Sequence, residues 1–198
     1  MLNNYQPLQA HPLKTGSTFM RPTQILPEHV KLGDPAINVM TDFTKVSVVS
    51  VRTKTSMDKA NAKMIRYGIR MLLALDDNDQ VAGLLTASDV LGEKPMRYLQ
   101  NMGGTHADIL VRDIMTTQRE LEAVNIEDVR NAQVGKIIAT LKKFHRQHAL
   151  VISEGTDGKQ SVCGLFSITQ IARQLGVQVQ SFDLDHAFSQ IEAAVAKG

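Results

Sequence analysis

The sequence of 198 residues has one cysteine, no tryptophan and only 5% aromatic residues. A single cysteine, Cys163, excludes an internal disulfide and any zinc site built from several thiolates. No apolar run approaches the roughly 18 residues of a membrane span, and residues 2–7 lack the apolar stretch of a secretory signal. The 22 basic and 20 acidic residues are spread along the chain and leave a net charge of +2, which disfavours a nucleic-acid groove binder. We therefore expect a soluble, cytoplasmic protein.

Proline is scarce after the first part of the chain, because five of the six prolines lie before residue 36. No apolar period of about 3.6 or 2 residues persists in residues 1–35, which we predict to be an extended N-terminal arm. With an apolar fraction of 43% and a charged fraction of 21%, the rest of the chain has enough apolar residues to form a well-buried core.

The strongest pattern in that remaining part is an internal repeat. Val-Met-Thr at residues 39–41 matches Ile-Met-Thr at residues 114–116. Each copy continues with an apolar strand, a helix, a hairpin and a short helix. The sequence thus predicts two βαββα repeats, over residues 36–104 and 105–176. The predicted strands are residues 46–51, 71–75 and 81–85 in the first repeat and 121–126, 149–152 and 162–166 in the second.

Two further helices are predicted outside the common pattern. Pro95 favours the start of a helix that ends at Gly103. The C-terminal segment, residues 177–198, is predicted to be an amphipathic helix whose apolar side packs on the body of this chain or on a second subunit. Its apolar residues recur at helical spacing: Leu184, Phe188, Ile191 and Val195.

The turn between the last strand and the short helix carries the most specific motif. It is Gly-Leu-Leu-Thr-Ala-Ser-Asp-Val at residues 83–90 and Gly-Leu-Phe-Ser-Ile-Thr-Gln-Ile at residues 164–171. With the Met-Thr entrance of each copy, this order resembles the cystathionine-beta-synthase (CBS) domain pair, or Bateman module, over about residues 36–176. The similarity is to stand-alone, bacterial-type CBS proteins.

The resemblance implies an α/β (α+β) fold in which a tandem CBS pair is related by pseudo-twofold symmetry, with an added arm and C-terminal helix. It also implies two clefts that take AMP, ADP, ATP or S-adenosylmethionine. Members of the family are regulatory and not catalytic, and they commonly form homodimers that signal to a partner protein. Isologous dimers are also the commonest soluble oligomers.

The first cleft is expected around Thr86, Ala87, Ser88 and Asp89. A helix that begins directly after a strand offers free backbone N–H groups to a phosphate, and the two hydroxyls add donors. In the family, the carboxylate of the motif accepts both hydroxyls of a ribose. The alternative is that Thr86 and Asp89 only form a capping box, in which each side chain bonds the other residue's backbone.

The second cleft is expected around Ser167, Thr169 and Gln170. Here the capping box is the favoured interpretation, because Ser167 and Gln170 satisfy its pattern fully. Gln170 departs from the family motif, since an amide has one carbonyl oxygen and no charge.

The resemblance also implies which residues complete each cleft. The first cleft would add Arg70, Met71, Ala123 and Val124. Glu122 beside it would repel a phosphate, which favours a nucleoside or S-adenosylmethionine there. The second cleft would add Val46 and His148.

Other kinds of site find less support in the sequence. The pairs His106 with Asp108 and His145 with His148 lack the third ligand of a zinc site, so no metal is expected. The sequence shows no motif that combines a nucleophile, a base and an orienting group, which disfavours an enzyme. The sequence predicts a nucleotide-sensing regulatory module, and a ligand-free dimeric interaction module of the same fold is the alternative.

Overall fold

The computed structural model describes residues 9–18, 23–178 and 184–195. It contains two four-stranded sheets with helices packed on them, so the predicted mixture of helices and strands is confirmed. The strands are β1 Thr41–Asp42, β2 Ser50–Arg52, β3 Met71–Leu75, β4 Val81–Thr86, β5 Thr116–Thr117, β6 Ala123–Asn125, β7 His148–Glu154 and β8 Gln160–Ser167.

The α-helices lie between and after these strands. They are α1 Met57–Tyr67, α2 Ala87–Leu91, α3 Lys94–Met102, α4 Val111–Ile114, α5 Ile126–Arg130, α6 Val134–Lys143, α7 Ile168–Gln174 and α8 Leu184–Val195. Three short 3₁₀ turns occur at Ala36–Val39, His106–Asp108 and Gln118–Glu120. None of the helices in the described ranges is long and apolar enough to cross a membrane.

The two sheets exchange their edge strands. One sheet has the order β2-β3-β4-β5 and the other has the order β6-β7-β8-β1. In each sheet the first pair is parallel and the other two pairs are antiparallel. The Met-Thr entrance of each repeat therefore forms the edge of the sheet built by the other repeat.

The glycine of each duplicated motif lies under that exchanged strand. A Cβ at Gly83 would be 2.4 Å from the backbone oxygen of Thr116, and one at Gly164 would be 2.9 Å from the sulfur of Met40. Only glycine permits such close approach. The Met-Thr of each repeat therefore lies against the motif glycine of the other repeat.

Three apolar clusters hold this arrangement together. The first repeat has its own core around Met57, Leu72 and Leu85, and the second has one around Leu141, Phe166 and Ile171. A third cluster joins the faces of the two sheets and consists of Met71, Leu73, Leu84, Leu150 and Leu165. The crevices lie at the two ends of this contact between the sheets, where the strands give way to helices.

Both terminal segments pack on the second repeat. The described residues of the arm form no helix or strand before Ala36. Phe188 and Ile191 of α8 are buried in the core of the second repeat, so the body of the same chain covers the apolar side of this helix. The side chain of Val195 lies outside the described residues.

Candidate ligand-binding crevices

The larger crevice has a volume of about 740 Å³ and is lined by both repeats. The first repeat contributes residues 46–49, which precede β2, and residues 68–71, which lead into β3. The second repeat contributes the turn from β8 to α7, with Ser167, Thr169 and Gln170. The predicted strand over residues 46–51 is shorter than expected because its first half forms this wall instead of pairing in the sheet.

The charge of the larger crevice is positive. Its lining includes Arg70 and Arg173, and no aspartate or glutamate of the described residues contributes to it. Apolar surface from Val46, Val48 and Val49 lies beside these cations. The crevice therefore combines a flat apolar wall with two cations that attract an anion.

Gln170 does not form the capping box that its sequence pattern predicts. No side-chain cap bond is made at Ser167. The Gln170 amide instead accepts a hydrogen bond from the Thr41 hydroxyl at 3.4 Å and donates one to Gln174 at 3.5 Å. The capping-box prediction was wrong here, because the exchanged strand β1 brings Thr41 within reach of the amide.

His148 lines both crevices. Its Nδ1 atom is buried without a hydrogen-bond partner. Burial and the nearby Arg70 guanidinium lower the pKa of His148 to about 4, although the Asp89 carboxylate acts in the opposite direction. The imidazole is therefore neutral at neutral pH.

The smaller crevice has a volume of about 190 Å³ and lies beside Thr86, Ser88 and Asp89. It shares Ser88, Gln147 and Leu184 with a neighbouring cavity of about 850 Å³. Its other wall comes from residues 145–148 and from Leu121 and Glu122 of the second repeat. Leu184, the first residue of α8, also lines it. The C-terminal helix thus borders the crevice that corresponds to the complete family motif.

Both carboxylate oxygens of Asp89 already have partners in the folded chain. Oδ2 accepts hydrogen bonds from the backbone N–H of Thr86 at 2.8 Å and from its hydroxyl at 2.7 Å. Oδ1 forms an ion pair with Lys94 at 2.6 Å. This pair therefore forms a capping box, and a ribose would have to share or displace these contacts.

Glu122 is paired with a cation on its own repeat. Its carboxylate lies 3.8 Å from Nε of Arg146, whose Nη2 atom donates to the backbone oxygen of Glu120 at 3.0 Å. Across the crevice, the Ser88 hydroxyl donates to Gln147 at 3.3 Å. The smaller crevice is therefore crossed by contacts between protein groups.

The structure groups several predicted site residues differently from the sequence. Arg70 and Met71 line the larger crevice and not the one beside Asp89, because each crevice is completed by the second-strand entrance of the other repeat. Ala123 is exposed, and Val124 packs on the core of the second repeat. Ala87 packs on the core of the first repeat, and its N–H donates to the Arg70 carbonyl at 2.9 Å.

Three residues near the crevices were not predicted from the sequence. Arg173 follows Gln170 by one helical turn, and this spacing is a signal that sequence reasoning could have used. Thr41 and Lys94 gave no such signal. Their roles depend on the exchanged strand and on the direction of α3.

Comparisons with known proteins agree with this geometry. The family model of the CBS domain matches residues 37–95. An uncharacterized conserved protein from Pyrococcus horikoshii has a similar structure, with a TM-score of 0.53 and 22% identity over 77% of this chain and 99% of that one. CBSX2 from Arabidopsis thaliana, solved in complex with AMP, has a TM-score of 0.51 and 20% identity over 71% of this chain and 95% of that one.

A conserved CBS domain protein of unknown function from Thermoplasma acidophilum gives a TM-score of 0.50 and 16% identity, over 78% of this chain and 76% of that one. No curated protein matches the sequence. At these identities the structural matches establish the fold. The family match therefore identifies a CBS domain at residues 37–95, and the chain as a whole has the fold of CBS-domain pair proteins.

Proposed function

We propose that the protein is a regulatory module that binds a phosphate-bearing adenosine ligand in the larger crevice. The observation that carries this proposal is a crevice of about 740 Å³ lined by both repeats and by two arginines. Its volume lies within the range of roughly 300–1,000 Å³ that is typical of small-molecule sites.

The lining residues suit the three parts of such a ligand. Arg70 and Arg173 would bind the phosphate, since guanidinium groups match its geometry and charge. Val46, Val48 and Val49 offer apolar surface to the adenine ring. Thr41 and Gln170 would take the ribose, with the Gln170 carbonyl oxygen as the acceptor for a hydroxyl.

The charge of the crevice also favours AMP, ADP or ATP over S-adenosylmethionine. The sulfonium and amino groups of S-adenosylmethionine are cationic, and like charges near Arg70 and Arg173 repel them. The complex of CBSX2 with AMP supports the same ligand class for this fold.

Regulation would follow from the position of the site between the repeats. A ligand that touches residues 46–49 and Gln170 together favours one arrangement of the two repeats over others. It shifts that equilibrium only by its difference in affinity for the arrangements. Homodimer formation and the effector protein that reads the change remain predictions of the family resemblance.

Calorimetric titration with AMP, ADP, ATP and S-adenosylmethionine tests the proposal. We expect the nucleotides to bind more tightly than S-adenosylmethionine. Arg70→Ala should weaken AMP binding by about 10- to 100-fold, because a hydrogen bond to a charged group contributes roughly 1.5–3 kcal/mol. Adenosine, which has no phosphate, should bind both proteins equally.

Asp89→Asn is the comparison variant, and we expect AMP affinity in it to remain unchanged. If Asp89→Asn abolishes AMP binding while Arg70→Ala does not, the ligand occupies the smaller crevice and our assignment is wrong. If none of the four ligands binds the wild-type protein, the sensor function is contradicted in favour of a ligand-free interaction module.

A further inference from the structure

Part of the N-terminal arm is held on the second repeat by two glutamine side chains. We define this part as residues 23–34. Gln24 bonds β1 through both ends of its amide, since it donates to the Met40 carbonyl at 2.9 Å and accepts from the Asp42 N–H at 2.8 Å. The other glutamine is Gln174, at the end of α7.

Gln174 is a buried polar residue that contacts the arm through its side chain and its backbone. Only 3% of its surface is exposed. Its Nε2 donates to the carbonyl oxygens of Pro27 at 2.7 Å and Asn38 at 3.0 Å. Its own carbonyl oxygen accepts the N–H of Val30 at 2.9 Å.

These contacts fix the direction of a chain of hydrogen bonds that reaches the larger crevice. Because Nε2 of Gln174 faces two carbonyl oxygens, its Oε1 must face Gln170. Gln170 in turn presents Nε2 to Gln174 at 3.5 Å. Its Oε1 therefore faces Thr41 and the crevice, where it accepts the Thr41 hydroxyl at 3.4 Å.

The docked arm thus determines which end of the Gln170 amide the crevice presents. With the arm in place, Gln170 offers an acceptor to a ligand hydroxyl. Without the arm, the Gln174 amide keeps the Asn38 carbonyl but loses that of Pro27, so the constraint on its orientation, and through it on the orientation of Gln170, becomes weaker. The hydrogen bonds on either side of Gln170 are long, which suits a residue that a ligand can recruit.

We propose that ligand binding in the larger crevice and docking of residues 23–34 stabilise each other through Gln170 and Gln174. This inference rests on the proposed function, because it requires a ligand whose hydroxyl bonds Gln170. Coupling between two sites is reciprocal, so the ligand secures the arm as much as the arm strengthens ligand binding.

Hydrogen exchange of the Val30 amide, measured with and without AMP, tests the coupling in the wild-type protein. We expect AMP to slow this exchange by about 5-fold or more, the lower end of typical coupling between sites. Gln174→Met keeps the volume of the side chain but removes its donor. In this variant we expect AMP affinity to fall by a similar factor and the protection of Val30 by AMP to disappear.

Gln24→Ala is the matched control, because it loosens the arm without breaking the connection to Gln170. Its Val30 amide should exchange faster both with and without AMP, and AMP should still slow it. AMP binding to the wild-type protein without any change at Val30 overturns the coupling alone. Absence of AMP binding in calorimetry overturns the coupling and the proposed function together. The comparison of Val30 exchange in the wild-type protein with and without AMP tests the coupling even if Gln174→Met does not fold.

Discussion

At the scale of single residues, the two repeats use the same position for different purposes. Asp89 and Gln170 occupy equivalent sites after the last strand of each repeat. Asp89 stabilises its own helix start and binds Lys94, whereas Gln170 contacts Thr41 and Gln174. The second helix start therefore has no side-chain cap, and Gln170 is bonded to the exchanged strand instead.

The sequence predicted which residues lie at these positions but not what they bind. Thr86 and Asp89 were predicted to contact a ligand or only to cap a helix, and the structure shows that they form the cap. The partner of Gln170, Thr41, is 129 residues away in sequence. Local patterns contain no information about such a contact, because it depends on how the two sheets exchange their edges.

His148 should make stability depend on pH. Its folded pKa of about 4 lies below the ordinary value of 6.5, so between these values the unfolded chain binds a proton that the folded chain does not. Stability from this group is fully present above pH 6.5 and falls as the pH decreases toward 4. Urea unfolding at about pH 7 and about pH 5 should differ by on the order of 2 kcal/mol from this residue.

His148→Gln supplies the control for that measurement. Its stability should change less over the same pH interval, because glutamine does not titrate. The carboxylates contribute equally to both proteins and cancel in the comparison. An identical pH dependence in the wild type and the variant would show that His148 is solvated and charged in the folded state.

At the scale of elements, the exchanged edge strands explain why both motifs begin with glycine. β5 crosses Gly83 so closely that the backbone oxygen of Thr116 occupies the place of a Cβ atom. At Gly164 the nearest atom is the flexible side chain of Met40 instead. The requirement for glycine is therefore stricter at position 83 in the first sheet than at position 164 in the second.

Gly83→Ala should destabilise the protein more than Gly164→Ala. The first substitution forces backbone to move, and such overpacking costs about 1–3 kcal/mol. In the second, the Met40 side chain can rotate away and the Thr41 backbone oxygen lies 3.0 Å from the added Cβ, so a smaller shift is enough and we expect a smaller loss. Thermal or urea unfolding measures both, with Gly33→Ala as the control because no atom lies within 4 Å of its added Cβ. Equal losses at the two motif glycines would contradict this account of the edge strands.

Most elements were predictable because their signals are local. The strand Met71–Leu75 has the predicted bounds, and α3 includes Pro95 in its first turn. Residues 46–49 were predicted to be strand because three of the four are valines, yet they line the larger crevice. Their apolar side chains form the wall of a cavity. The periodicity of apolar residues in the sequence does not distinguish such a wall from a buried strand.

At the scale of the whole molecule, the internal repeat predicted two related crevices but not their different linings. The difference arises from groups outside the repeated pattern. Leu184 of α8 and the ion pair between Glu122 and Arg146 narrow the crevice beside Asp89. Neither feature has an equivalent in the lining of the larger crevice. The two crevices therefore differ in how accessible they are to a ligand.

The apolar contact between the sheets should make the two repeats unfold together. Leu150→Ala removes a buried side chain from the cluster that joins the sheets, which should cost about 2–5 kcal/mol. Native-state hydrogen exchange should then accelerate in β4 of the first repeat as well as in β7. Leu13→Ala, an exposed leucine in the arm, is the control. Unchanged exchange in β4 would show that the repeats are independent units.

The exchanged strands also give the chain an interlocked topology. The exposed glycines 103 and 104 lie on the connection between the two halves. A single proteolytic cut there would leave β1 of the first fragment in the sheet of the second, and β5 of the second fragment in the sheet of the first. Each fragment would then supply an edge strand to the sheet of the other. The two fragments could separate only if these strands detached from both sheets.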